Sequence, residues 1–136
     1  MPLDRLTAEP TELLRTMIQN PCVNDDTVGS GQGIRNVTAL EDYFAGSGLA
    51  CRRFEAAPGR ASLVARIEGR DPSAPTLLLM GHTDVVPANP AGWRRDPFGG
   101  DVEYPLMFHG NDERVDVESL RLSAKMWEAL CREFLG

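Results

Sequence analysis

The chain has 136 residues, a length that fits one ordinary domain. Hydrophobic residues make up 42% of it, enough for a core, and the formal net charge is −6 at pH 7. Nucleic acid and anionic membranes are themselves negative, so this charge argues against either as the main partner.

The cysteines and the N-terminal segment indicate a protein of a reducing compartment. Cys22, Cys51 and Cys131 are odd in number and far apart, which favours buried free thiols over a disulfide framework or a thiolate zinc site. The N-terminus lacks the basic and then apolar regions of a secretory leader. No apolar run approaches the roughly 18 residues that a membrane span needs. We expect a soluble, cytoplasmic protein.

Two helices are predicted in the first third of the chain. Thr7–Gln19 is the first, because apolar residues recur at helical spacing. Residues 22–33 are predicted to be a flexible loop, since VGSGQG lacks both the Lys-Ser/Thr ending and the preceding strand of a phosphate loop. Ile34–Phe44 is the second helix, with Gly46 and Gly48 as left-handed capping positions after it.

Three strands are predicted next. Leu49–Ala56 and Ala61–Ile67 flank the turn residues Pro58-Gly59 and should form a hairpin. Thr76–Met80 is nearly all apolar, which suits a central strand covered on both faces. Helices followed by several strands predict a layered domain of the α/β or α+β class.

The last predicted element is a long amphipathic helix. Asp116 is a suitable N-cap, and the apolar residues after it are spaced by 3, 4, 3, 4 and 3. We expect this stripe to pack into the core rather than to bind a cofactor. Its members are Val117, Leu120, Ala124, Trp127, Cys131 and Phe134.

The stretch LLLMGHTDVVP places two polar residues at the end of the third strand. Side chains two positions apart on a strand point the same way, so His82 and Asp84 should project together. A carboxylate beside an imidazole can accept its spare N–H, fix its tautomer and raise its basicity as a metal ligand. The pair predicts a metal-binding histidine with its orienting acid. An ordinary loop histidine stays open as the alternative, because His-x-Asp alone is a weak pattern.

The second of the two histidines lies in a similar setting. His109 follows the apolar residues 106–108 and precedes Gly110, in the acid-rich segment HGNDERV.

At this point the residues carry a family resemblance. GHTDVVP followed by GWRRDPFGG resembles the first metal-binding segment of the zinc-dependent aminoacylase, acetylornithine deacetylase, succinyl-diaminopimelate desuccinylase and glutamate carboxypeptidase family. MFHGNDERVDVESL is similar to its last metal-binding segment. The segments NPCVN and APGRASLVARIEG also look like the N-terminal region of that family, so the resemblance covers nearly the whole chain.

The resemblance implies residue roles, a cofactor and a substrate class. His82 would bind one metal ion, Asp84 would be its orienting acid in the catalytic site, and His109 would bind a second ion. The family uses two zinc ions, although cobalt and manganese also suit such ligands. The substrate would be an N-acyl amino acid or a small peptide. Pro87, Trp93 and the turn at 96–98 would shape the loop beside the site. These residues could contact the substrate, or they could belong to an ordinary packed surface loop, and both roles stay open.

The chain also departs from the family. Members continue with a metal-bridging Asp in an Asp-Met-Lys-Gly segment, a Glu-Glu pair whose first member is the general base, and a separate lid or dimerisation domain. Here the sequence passes from residues 99–102 almost directly to Tyr104. It therefore reads as a single partial catalytic domain, internally deleted near Glu103. The fold that the resemblance implies is α/β with three layers, a sheet with helices on both faces as in the catalytic domain of zinc peptidases, truncated and lacking the lid or dimerisation domain. Residues 1–102 carry the first metal motif, and residues 103–136 carry the last motif and the helix.

Three functions remain open from the sequence. The first is a metal-dependent hydrolase of amide bonds, as in the family. The second is a catalytically inactive, internally deleted remnant. The third is an interaction module that pairs with a full-length relative through the exposed sheet edge left by the deletion. Apolar surface that the deletion uncovers also favours aggregation or self-association.

Overall fold

The computed structural model describes residues 5–101 and 117–135. It divides into two compact units, one from residues 1–19 and 88–136 and the other from residues 20–87. The predicted combination of helices and strands is confirmed, and the strands in the described ranges form one two-stranded sheet. The elements are α1 (Arg5–Gln19), α2 (Ile34–Phe44), β1 (Ala50–Ala57), β2 (Arg60–Arg66), a 3-10 helix (Pro90–Gly92) and α3 (Val117–Leu135).

Helix α2 has the bounds predicted from its apolar spacing. Val37 is buried at 2% exposure and is part of the small core of the unit formed by residues 20–87. Gly46 and Gly48 follow the helix with φ values of +77° and +81°, the left-handed conformation expected of them. The rest of the predicted apolar face is half-buried and comprises Ile34, Leu40 and Phe44.

The predicted hairpin is also confirmed. Strands β1 and β2 pair antiparallel, with a register irregularity between Glu55 and Ala57 beside the turn. Gly59 has a φ of +78°, which an L side chain rarely adopts, so the turn requires glycine there. Arg53 of β1 contacts both Glu41 and Thr38 of α2, and these bonds tie the hairpin to the helix.

The predicted central strand Thr76–Met80 is wrong. Residues 75–80 form no ladder in the structure, and Leu78 and Met80 are 70% and 85% exposed. A strand is stable only beside a neighbour that satisfies its backbone groups, and in the described ranges β1 and β2 pair with each other. An apolar run alone could not reveal that the neighbours of a central strand are missing from this part of the chain.

The other unit contains α1 and the turn that ends at Gly100. Helix α1 begins at Arg5, two residues before the predicted start, and ends at Gln19 as predicted. Arg15 Nε donates to the Gly100 carbonyl at 3.1 Å, and Gln19 Nε2 donates to the Gly99 carbonyl at 3.0 Å. These bonds fix the end of the DPFGG segment against the last turns of α1.

Helix α3 contacts α1, but its predicted apolar stripe is only partly covered. Trp127 and Phe134 are 47% and 45% exposed, so core packing is wrong for both in this structure. Of the helices and strands in the described ranges, only α1 contacts α3, so part of the stripe stays uncovered. Leu120, Ala124 and Cys131 are half-buried, and the predicted N-cap Asp116 lies outside the described residues.

The cysteines are free, as predicted: Cys22 is buried, whereas Cys51 and Cys131 are half-buried. Within the described ranges, no helix combines the length and apolar character needed to cross a membrane.

Candidate functional site

The predicted pairing of His82 with Asp84 is present in the structure. His82 Nδ1 lies 3.1 Å from Asp84 Oδ1 and 3.0 Å from the Asp84 carbonyl oxygen. An ionised carboxylate only accepts hydrogen bonds, so the ring nitrogen facing it carries the proton. This arrangement leaves the lone pair of Nε2 available on a ring whose side chain is 85% exposed.

The other oxygen of Asp84 is held by an asparagine sixty positions earlier in the chain. Asn24 Nδ2 donates to Asp84 Oδ2 at 3.0 Å. The carboxylate therefore has one oxygen toward His82 and the other toward Asn24, and these two contacts define the direction of its plane.

The environment of Asp84 favours its ionised form. The hydrogen bond from Asn24 is the largest of the influences that lower the pKa of Asp84 below its ordinary value. Partial burial opposes this shift, and the hydrogen bond with His82 lowers the pKa further. At neutral pH the carboxylate is consequently charged and able to orient the imidazole.

Two contacts anchor the backbone around the pair. Val85 N donates to the Cys22 carbonyl at 3.0 Å, and Asn24 N donates to the Val85 carbonyl at 2.8 Å, which forms a short parallel bridge. Asn36 of α2 donates from Nδ2 to the Thr83 carbonyl at 3.3 Å. The residue between His82 and Asp84 is thus fixed by a side chain that is itself 2% exposed.

Cys22 lies behind this backbone bridge. Its side chain is 3% exposed, and its Sγ donates to the Gln32 carbonyl at 3.3 Å. Burial raises the pKa of the Cys22 thiol, and the negative charge of Asp84 contributes a smaller effect in the same direction. Its surroundings therefore disfavour the thiolate, which is the nucleophilic form.

The remaining predicted site residues do not extend the described site. His109 lies outside the described residues, so its position beside a metal stays a prediction. Pro87 is exposed and Trp93 is half-buried. Asp96 Oδ1 accepts from the Phe98 backbone N–H at 2.9 Å, so the predicted turn is present.

Sequence reasoning missed Asn24 and Asn36 as parts of the site. A signal for Asn36 existed, because it lies four residues before Leu40 and one before Val37, on the flank of the apolar face of α2. A polar residue at such a position needs a partner when it is buried. For Asn24 the only hint was its place in the NPCVN segment.

The described residues fit a metal in part. They supply one imidazole and its orienting carboxylate, whereas a catalytic zinc usually has three protein ligands and a water. Over residues 5–101 and 117–135, no three His, Cys, Asp or Glu side chains gather into a metal-binding group. A complete site would therefore need ligands from outside these ranges.

Comparison with known proteins shows that parts of the chain are similar to aminoacylases and to desuccinylases. Aminoacylase-1 of Mus musculus is 42% identical over 90 residues, which is 65% of this chain and 22% of that protein. Succinyl-diaminopimelate desuccinylase of Methylobacterium sp. (strain 4-46) is 40% identical over 102 residues, 71% of this chain and 24% of that enzyme. Aminoacylase-1 of Homo sapiens is 43% identical over 62 residues, 46% of this chain and 15% of that protein.

Two further comparisons gave no match: no family model and no solved structure matches the chain. The chain spans about a quarter or less of the length of the three relatives described above. The identities extend over most of the chain and agree with the resemblance carried by the His82–Asp84 segment. Over these stretches the chain is similar to aminoacylase-1 and to succinyl-diaminopimelate desuccinylase, the proteins of the family that its sequence resembles.

Proposed function

We propose that this chain carries part of the metal site of a hydrolase that cleaves amide bonds in N-acyl amino acids or small peptides. His82 binds one divalent ion through Nε2, and Asp84 orients the ring. His109 contributes to the second ion of the family's two-metal site. Zinc is the metal that the family resemblance favours, and cobalt and manganese accept the same ligands.

The single observation that carries the proposal is the hydrogen-bonded chain from Asn24 through Asp84 to His82. A histidine that only belongs to a surface loop does not need a neighbouring carboxylate, here that of Asp84, whose two oxygens are both held by hydrogen bonds. Metal-binding histidines, in contrast, almost always donate their second ring N–H to a carboxylate, carbonyl or water. The exposed ring with its oriented Nδ1 supports the assignment of His82 as a ligand.

When bound, the metal would polarise the scissile carbonyl and lower the pKa of an attacking water. The described residues contribute by presenting the imidazole and holding its proton on Nδ1. They do not include the Glu-Glu pair that supplies the general base in the family. A positioned base contributes about 10²–10⁴-fold to rate, so we expect the isolated chain to be slow or inactive.

The exposed apolar segment Thr76–Met80 also bears on the kind of domain to which this chain corresponds. We infer a three-layer catalytic domain, truncated and without its lid or dimerisation domain, in which missing central strands would cover Thr76–Met80. The exposed Leu78 and Met80 side chains support this inference.

Metal binding and turnover together test the function. Zinc, cobalt and manganese are each titrated into the purified chain, and hydrolysis of a panel of N-acyl amino acids is then measured. We expect binding that His82→Ala abolishes and Asp84→Ala weakens about 10–100-fold. Binding with turnover supports the hydrolase, and binding without turnover supports the inactive remnant.

Asp71→Ala is the matched control for Asp84→Ala. Asp71 Oδ1 accepts only local bonds in the same unit, from Ser73 N at 2.8 Å and Ser73 Oγ at 2.7 Å. Its replacement should leave metal affinity unchanged. If none of the three metals binds, or if His82→Ala binds them as the parent chain does, the proposed site is wrong.

Self-association is a second candidate, favoured by the exposed apolar segment at residues 78–80. Leu78 is 70% exposed and Met80 is 85% exposed, on an extended segment without a ladder partner in the described ranges. Unpaired extended backbone with apolar side chains recruits another strand, and a second copy of this chain offers the same segment. Sedimentation velocity over a range of concentrations should show dimers that Met80→Lys diminishes, and a monomer at every concentration would contradict this.

A further inference from the structure

The side-chain amide of Asn24 is fixed on both sides. Its Oδ1 accepts from the Asp26 backbone N–H and from the Ser30 hydroxyl, each at 3.3 Å. A backbone N–H can only donate, so the atom that faces Asp26 N is the amide oxygen, and Nδ2 is the atom that faces Asp84. The orientation of the amide is therefore set by the loop rather than by Asp84 alone.

The loop that holds Asn24 is itself closed by backbone hydrogen bonds. Gly31 N donates to the Val23 carbonyl at 2.8 Å, and Ser30 N donates to the Thr27 carbonyl at 3.1 Å. The segment predicted as a flexible connector thus has a hydrogen-bonded structure at residues 23–31. It presents the Asn24 amide from a backbone that is also bridged to Val85.

We propose that Asn24 is a positioning residue, whose amide holds the Asp84 carboxylate in the one orientation that accepts from His82. The proposal rests on the proposed function, because the purpose of this orientation is to present the imidazole to a metal. Nothing in the His-x-Asp pattern requires this asparagine, and its contact joins positions sixty apart.

The physical need for such a residue follows from the exposure of Asp84. Its side chain is 39% exposed, so water competes for both oxygens and packing alone does not select one rotamer. A donor fixed at Oδ2 leaves Oδ1 toward Nδ1 of His82. The side-chain entropy of Asp84 is then lost when the chain folds. Metal binding therefore does not have to order the carboxylate again.

The rotamer of Asp84 in the metal-free full chain is the direct test. Three-bond NMR couplings from the Asp84 carboxyl carbon to its backbone nitrogen and carbonyl carbon report the χ1 populations. We expect a single rotamer in the parent chain. Asn24→Ala should give averaged couplings, and so should Asn24→Asp, which keeps the shape of the side chain but removes the donor.

The control is Thr27→Val. It removes the bond from Thr27 Oγ1 to Asp25 Oδ1 at 2.6 Å, in the same loop, and leaves the Asn24–Asp84 contact in place. Its couplings should match those of the parent chain. A single Asp84 rotamer in both Asn24 variants, averaged couplings in the parent chain, or failure of both Asn24 variants to fold would each overturn the proposal.

Metal affinity provides the second measurement and separates the two proposals. We expect zinc affinity to fall about tenfold in Asn24→Ala and to stay unchanged in Thr27→Val. If the parent chain binds no zinc, the proposed function fails, yet the coupling measurement still decides whether Asn24 orients Asp84. If zinc binds equally well to the parent chain and both Asn24 variants, the positioning role is overturned while the metal site stands.

Discussion

Asn36 Nδ2 lies 3.3 Å from the Thr83 carbonyl oxygen, and this contact joins helix α2 to the residue between His82 and Asp84. The side chain is 2% exposed, and its Oδ1 is buried without a hydrogen-bond partner in the described ranges. The bond therefore gives α2 a role in the site as well as in the fold.

Replacement of Asn36 should destabilise the chain. Asn36→Ala removes the hydrogen bond to the Thr83 carbonyl and leaves a cavity at a position that is 2% exposed, which we expect to lower the free energy of unfolding by about 1–3 kcal/mol. Urea unfolding followed by circular dichroism measures the change. Arg35→Ala, at the exposed neighbouring position of the same helix, should change stability by less than about 0.5 kcal/mol. Equal stability of the two variants would contradict the anchoring role of Asn36.

The three thiols should differ in reactivity. The thiolate is the reactive form, and burial raises the pKa of Cys22 while its side chain is only 3% exposed. We expect iodoacetamide to label the half-buried Cys51 and Cys131 well before Cys22 in the folded chain. Peptide mass spectrometry over a time course resolves the sites. Labelling of Cys22 at the rate of the other two would show that its surroundings open readily.

The ion pair between Glu41 and Arg53 should make stability depend on pH. The hydrogen bond from Arg53 lowers the pKa of Glu41 in the folded chain. A lowered folded-state pKa stabilises the fold above the unfolded pKa of about 4.3, and the contribution disappears as the pH falls through the folded-state value. Glu41→Gln should therefore be less stable than the parent chain at about pH 7 and equally stable at about pH 2.

Glu68→Gln is the control for this pH dependence. Glu68 pairs with Arg66 only two positions away, on exposed side chains, and such pairs contribute little to stability. Unfolding midpoints measured across the pH range should differ little between this variant and the parent chain. A difference for Glu41→Gln that persists at low pH would assign its effect to packing instead of charge.

Local signals made much of the fold predictable. The apolar spacing of α2 and the Pro58-Gly59 turn both act over a few residues, so the helix has its predicted bounds and the hairpin strands lie within one residue of theirs. The segment Thr76–Met80 could not be predicted in this way. Its apolar pattern is that of a central strand, but a strand also depends on neighbours distant in sequence.

The same distinction holds for the site. His82 and Asp84 are two positions apart, and their contact follows from the geometry of extended backbone. Asn24 and Asn36 reach this segment across 60 and 47 positions, so no local pattern could reveal their partners, although the place of Asn36 beside the apolar face of α2 indicated that it needs one. The role of His109 rests on the resemblance alone.

The most direct test of the account is a zinc titration of the full chain, followed by NMR of both histidine rings. We expect the Nε2 resonance of His82 to shift on binding, and the His109 ring to respond over the same range of zinc concentration. His82→Ala should abolish zinc binding at the site that shifts the His82 resonance. Asp71→Ala should leave the responses of the His82 and His109 rings unchanged. Rings that stay unchanged up to saturating zinc would contradict the claim that this segment is a metal site.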